Sequence, residues 1–96
     1  MFLQRKNRLP MSIYGDMNYY GRLLKAEDHC AVYSYGCRLD NMTGILLIDT
    51  DSANWNNKRL PDGIEVETDM FYSFANKVLR QCMKGETPEK VSREIG

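Results

Sequence analysis

Between Tyr19 and Asp49 apolar and polar positions alternate in three runs separated by turn-forming residues, the period-two signature of β-strands. The first run, Tyr19 to Ala26, places Tyr20, Arg22, Leu24 and Ala26 on one face and Tyr19, Gly21, Leu23 and Lys25 on the other. Neither face is cleanly polar. Glu27 and Asp28 form the turn. The second run, His29 to Leu39, is asymmetric: Ala31, Tyr33, Tyr35, Cys37 and Leu39 make an apolar and aromatic face, whereas Cys30, Val32, Ser34, Gly36 and Arg38 are small or mixed. That pattern marks a central strand with its bulky face on the core. Gly36 marks a bulge or a close backbone approach. Asp40 and Asn41 make a hairpin turn, because both tolerate left-handed dihedrals. The third run, Thr43 to Asp49, contains Ile45-Leu46-Leu47-Ile48. Four consecutive aliphatics imply burial on both faces, one against a helix and the other against the N-terminal segment or another subunit.

The period changes after residue 68. Met70, Phe71, Phe74, Ala75, Val78, Leu79, Cys82 and Met83 recur at three- and four-residue spacing, which predicts an amphipathic helix about four turns long. Thr68 or Asp69 caps it, and Asp69 also suits the positive N-terminal end. Lys84 suits the negative end, Gly85 is a natural stop, and Pro88 confirms the break. Between strand and helix, DTDSANWNNKRLPDG (residues 49–63) is the most polar part of the chain and carries the single tryptophan, Trp55. It reads as a long loop, and such loops inside a compact domain are usually functional or disordered. Ile64 to Val66 reads as a short returning strand. The tail EKVSREIG fits either a helical turn or an extended edge segment, with the extended form preferred. Residues 1–18 mix polar QRKNR with Ile13, Tyr14 and Met17, and residues 1–10 read as a mobile leader. The fold expected is therefore α+β: an antiparallel β-meander of three to five strands with one amphipathic helix packed on one face, in a single domain spanning 1–96.

Charge adds a local asymmetry to this picture. Thirteen basic groups balance thirteen acidic ones, so the strongly basic signature of a nucleic-acid binder is missing. Residues 1–25, however, are mostly basic (Arg5, Lys6, Arg8, Arg22, Lys25), and residues 49–69 mostly acidic (Asp49, Asp51, Asp62, Glu65, Glu67, Asp69). Three cysteines and one histidine suit neither a disulfide framework nor a zinc site. Reduced thiols and a cytoplasmic location follow as the expectation. No signal peptide or membrane-length apolar run is legible.

Candidate chemistry is thin. DTDSAN opens like a calcium loop, but Ala53, Asn54 and Leu60 occupy the positions that need an oxygen ligand, glycine and glutamate. His29 and Cys30 are strand neighbours and point to opposite faces, which argues against an imidazole-activated thiolate. Cys30 and Cys37 also face opposite ways, so no disulfide is expected between them. The carboxylates cluster in one stretch rather than converging across a cleft. No catalytic residue, metal or cofactor is expected, and the chain reads as a non-enzyme. Tyrosines on a sheet beside basic residues can stack bases, yet the glycine- and aromatic-rich motif of the RNA-recognition sheet does not occur. Trp55 is the strongest interaction pointer: it either plugs the core or anchors a partner. Asp49, Asp51 and Asp62 around it would steer a basic protein.

The segment YSYGCRLDNMTGILLID (Tyr33 to Asp49), followed by the amphipathic helix and the tail PEKVSREIG, resembles small uncharacterised bacterial proteins of the toxin-immunity type. These are cognate inhibitors of polymorphic or contact-dependent toxins. The resemblance covers roughly the last two-thirds of the chain. It implies a protein partner, a toxin domain, and transfers no functional residue. Immunity proteins against nucleases are often strongly acidic, so the neutral charge of this chain departs from that pattern. The expectation is a protein-binding module, monomeric or homodimeric, that works without a membrane. The alternatives are a nucleic-acid-associated protein using the basic N-terminal region and the sheet tyrosines, or an oligomeric ligand-binding protein.

Overall fold

The computed structural model describes residues 17–94. The leader expected at 1–10 and the apolar residues Ile13 and Tyr14 lie outside the described residues. Five strands and one helix follow in the order β1 (Tyr19–Glu27), β2 (Cys30–Gly36), β3 (Gly44–Asp49), β4 (Asn54–Arg59), α1 (Asp69–Met83) and β5 (Lys90–Arg93). The strands form one sheet in the order β4-β3-β2-β1-β5, with every neighbouring pair antiparallel. The first four strands are a meander. After β4 the chain crosses one face of the sheet as α1 and returns at the far edge as β5. The α+β architecture is thus the one the periodicity predicts, and the tail takes its extended form as β5.

The core is a layer of rings between α1 and the sheet. Tyr19 and Tyr35 from the sheet meet Phe71 and Phe74 from the helix, with ring centroids from 5.2 Å (Tyr35–Phe71) to 6.2 Å (Tyr19–Tyr35). Ala31, Tyr33, Leu46, Ile48, Ala75, Val78, Cys82 and Val91 complete it. Glycines make room for the rings. Gly21 and Gly44 stand on either side of Tyr35 in the register of β1 and β3. A Cβ on Gly44 would lie 2.6 Å from the Tyr35 ring, and one on Gly21 2.9 Å from the Phe74 ring. Each buried phenol has a hydroxyl partner, as burial requires. Tyr33 Oη donates to the Pro88 carbonyl (2.6 Å), Tyr35 Oη to Asn57 Oδ1 (2.7 Å), and Tyr19 Oη lies 3.3 Å from Thr68 Oγ1.

Four expectations are corrected. First, residues 49–63 are not one long loop: Asn54–Arg59 pair with β3 as an edge strand. Second, Ile64 to Val66 form no strand. Third, β1 shifts register between Leu23 and Lys25. The extra residue, Leu24, is a bulge that reverses the alternation, so Ala26 lies opposite Ala31 on the helix-facing side rather than with Tyr20 and Arg22. Fourth, β2 ends at Gly36, and Leu39 is 70% exposed rather than on the core face. A Cβ at position 36 would run into the Asn41 carbonyl oxygen, so the close backbone approach expected there is present. In β3, Leu46 and Ile48 are buried beneath α1, whereas Ile45 and Leu47 are half-buried on the other face. Among the described residues no helix or further strand covers that second face.

Candidate functional site

β4 contains one large apolar side chain, Trp55, and its placement follows from strand register. Trp55 pairs with Ile48, so it points to the helix side, at the edge where the sheet runs out. There its ring meets Phe71 edge-on (5.3 Å, 90°) and lies 5.6 Å from the Tyr72 ring. Trp55 Nε1 donates to Asn76 Oδ1 at 2.9 Å. The indole is half-buried: one side closes the core and the other remains accessible. Tyr72, on α1 but off its apolar stripe, is 43% exposed. Its hydroxyl donates to Glu67 Oε1 at 2.8 Å, and Glu67 Oε2 accepts from Asn57 Nδ2 at 2.8 Å. Asn57 in turn accepts the Tyr35 hydroxyl proton. A chain of hydrogen bonds, Tyr35–Asn57–Glu67–Tyr72, therefore runs from the core to the surface. The hydrogen bond to the Glu67 carboxylate raises the Tyr72 phenol above its ordinary value. The result is a hydrogen-bonded aromatic shelf of Trp55 and Tyr72. Exposed Val66 stands near it in sequence, and Asp62, Glu65, Glu67 and Asp69 are all exposed along the connection into α1.

The structure does not gather the four residues singled out by sequence into one patch. Asp49 belongs to the β3–β4 turn, where its Oδ1 accepts from the backbone N–H groups of Asp51 (3.0 Å) and Ser52 (3.2 Å). These bonds, that from Ser52 first, hold its carboxyl below the ordinary carboxylate value. Ala53 completes the turn in a left-handed conformation (φ 54°). Asp51 Oδ1 lies 3.2 Å from His29 Nδ1. Asp62 stands beyond the opposite end of β4, roughly 17 Å away at the rise of a strand. There it accepts from Arg59 Nη2 (3.1 Å), and its backbone N–H donates to Thr43 Oγ1 (2.7 Å). Only Trp55 belongs to the shelf. Glu67 reads from sequence only as part of the acidic stretch, and Tyr72, Asn57 and Asn76 do not read as site residues at all. The signal for Tyr72 was an aromatic lying off the helix's apolar stripe.

The other candidate chemistries find these surroundings. Tyr19, Tyr33 and Tyr35 are buried beneath α1 with their hydroxyls engaged, so they offer no face to a base. Burial pushes the thiols of Cys37 and Cys82 up, the reverse of what activates a nucleophile. All three cysteines are free, and Cys37 Sγ lies 3.6 Å from Met17 Sδ. Among the described residues no three His, Cys, Asp or Glu side chains converge to hold a metal ion, and no helix is long and apolar enough to cross a membrane. Two aromatics held by hydrogen bonds and bordered by carboxylates can bind a cationic or amphipathic surface through ring contact, cation–π attraction and charge. Comparison with known proteins returns nothing to set beside this geometry: no family model, no curated protein and no solved structure matches the chain.

Proposed function

We propose that the chain is a protein-binding module that engages a basic partner through the Trp55–Tyr72 shelf. The observation that carries this reading is that two large aromatics stand side by side, partly exposed, yet each is fixed by a hydrogen bond, to Asn76 and to Glu67. Fixing the rings before binding removes an ordering cost from association. Tryptophan and tyrosine are, with arginine, the side chains enriched among energetic hot spots. The exposed carboxylates of Glu65, Glu67 and Asp69 favour encounter with a positively charged surface. The finer form of the proposal is an immunity protein or inhibitor that binds a bacterial toxin domain in the cytoplasm.

The test is affinity capture from a lysate of the source organism with the wild type, Tyr72→Ala and Glu65→Lys, after thermal melts confirm that the variants fold. Both substitutions are on exposed side chains. One protein retained by the wild type and lost by both variants is the expected result. If every captured species is retained equally by all three, the shelf is not the binding surface. For the finer form, expressing the captured partner alone should arrest growth, and co-expressing this chain should relieve the arrest.

A further inference from the structure

At the opposite edge of the sheet, β1 and β5 place two cations face to face. Arg22 and Lys90 are register partners, and like charges directly opposite on neighbouring strands repel. Both are exposed, and among the described residues neither has a carboxylate partner. Both line a hollow of about 490 Å³. Lys77 lines it too, with its Nζ donating to the Ser92 carbonyl at 2.6 Å. Its described lining thus contains three basic side chains and no acidic one, in a chain whose acidic and basic residues are equal in number. The rest of the wall is largely apolar: Tyr20, Leu39, Met42 and Val91. Gln81 lines the hollow as well, and its Oε1 is buried without a hydrogen-bond partner among the described residues.

We infer that this hollow is a binding site for a small organic anion with an apolar body, its carboxylate or phosphate head held between Arg22 and Lys90. The head group offsets the repulsion that β1 and β5 otherwise carry. The guanidinium fork of Arg22 suits a planar or tetrahedral oxyanion with two acceptor oxygens. The body lies along Leu39, Met42 and Tyr20. The volume is in the range of small-ligand pockets, roughly 300–1,000 Å³. This site stands on different residues from the aromatic shelf and is independent of the function proposed there.

The experiment is calorimetric titration of the full chain with octanoate, octyl phosphate and the neutral 1-octanol. Wild type, Arg22→Gln, Lys90→Gln and the charge-keeping Arg22→Lys are compared, with far-UV circular dichroism and melting temperature measured for each. Saturable binding of at least one anion is expected, with 1-octanol weaker by about tenfold or more. The ratio of octanoate to octyl phosphate identifies the preferred head group. Each glutamine variant should bind about tenfold more weakly while melting no lower than wild type, since a repulsive pair has been relieved. Arg22→Lys should fall between. The inference is overturned if neither anion binds, if 1-octanol binds as tightly as the anions, or if the folded glutamine variants bind like wild type.

Discussion

A methyl group at position 44 would press on a Tyr35 ring already packed against Tyr19, Phe71 and Phe74. Because the ring has nowhere to yield, Gly44→Ala is expected to cost about 1–3 kcal/mol, the usual cost of overpacking a core. Gly36→Ala should cost more, because its methyl would meet the Asn41 backbone carbonyl rather than a side chain. Urea unfolding of the two variants measures both, and equal, near-zero effects would mean that the backbone and ring yield at these approaches. The phenols themselves set an alkaline limit. Burial first, with smaller electrostatic contributions, holds Tyr19, Tyr33 and Tyr35 far above the ordinary phenol value of 10.0. Above about pH 10 the unfolded chain releases protons that the folded chain keeps. The stabilisation from burying neutral phenols is therefore fully present below that pH and is lost as pH rises beyond it. In an alkaline titration the share of tyrosinate absorbance that comes from these three of the six tyrosines should rise together with the loss of circular dichroism. Complete tyrosine ionisation before any loss of structure would show that these phenols are not buried.

At the scale of elements, the start of α1 depends on one side chain. Thr68 Oγ1 accepts from the Phe71 backbone N–H at 3.1 Å and is also the partner of the Tyr19 hydroxyl. Thr68→Ala removes a cap, about 1 kcal/mol, and leaves a buried phenol unpartnered, about 1–3 kcal/mol more. A loss of about 2–4 kcal/mol in urea unfolding is expected, most of it recovered by Thr68→Ser. If Ser is as damaging as Ala, the contribution comes from the threonine methyl instead. The elements differ in how openly the sequence declares them. α1, β2 and β3 bury a continuous stripe or face, so Phe71, Phe74 and Val78, or Tyr33 and Tyr35, repeat at the period of their element. β4 buries almost nothing but Trp55. Its other helix-side residue, Asn57, satisfies its amide by bonding Tyr35 and Glu67, so an interior-facing position reads as polar and the strand as a loop. In β1 the Leu24 bulge breaks the alternation, and residues beyond it are assigned to the wrong face. The shelf was half legible for the same reason. Trp55 stands out by composition alone, whereas Tyr72 becomes informative only once the helix packing shows which side of α1 is free.

For the molecule as a whole, the decisive pairing joins the two ends of the described chain. β5 contributes four residues, yet it covers the outer edge of β1 and places Val91, 8% exposed, against Gly21 in register. Helix contacts pin it further: Lys77 Nζ donates to the Ser92 carbonyl, and Arg93 Nε to Ser73 Oγ at 2.9 Å. The sheet thus closes only after the chain has crossed it as α1, and β1 remains an open edge until the last element arrives. A chain ending at Pro88 should lose the burial of Val91 and the ladder bonds of β5, together about 3–5 kcal/mol. That is a large share of the roughly 5–15 kcal/mol that stabilises a small domain. It would also bare the amides of Tyr19 to Arg22, an edge suited to pairing with another chain. The truncated chain is therefore expected to melt far below the full chain, and whatever fraction folds should associate in sedimentation at concentrations where the full chain is less associated. A truncated chain that melts with the wild type and sediments as it does would mean that β5 merely decorates a sheet already complete with four strands. In that case the Arg22–Lys90 repulsion would have no structural gain to offset it.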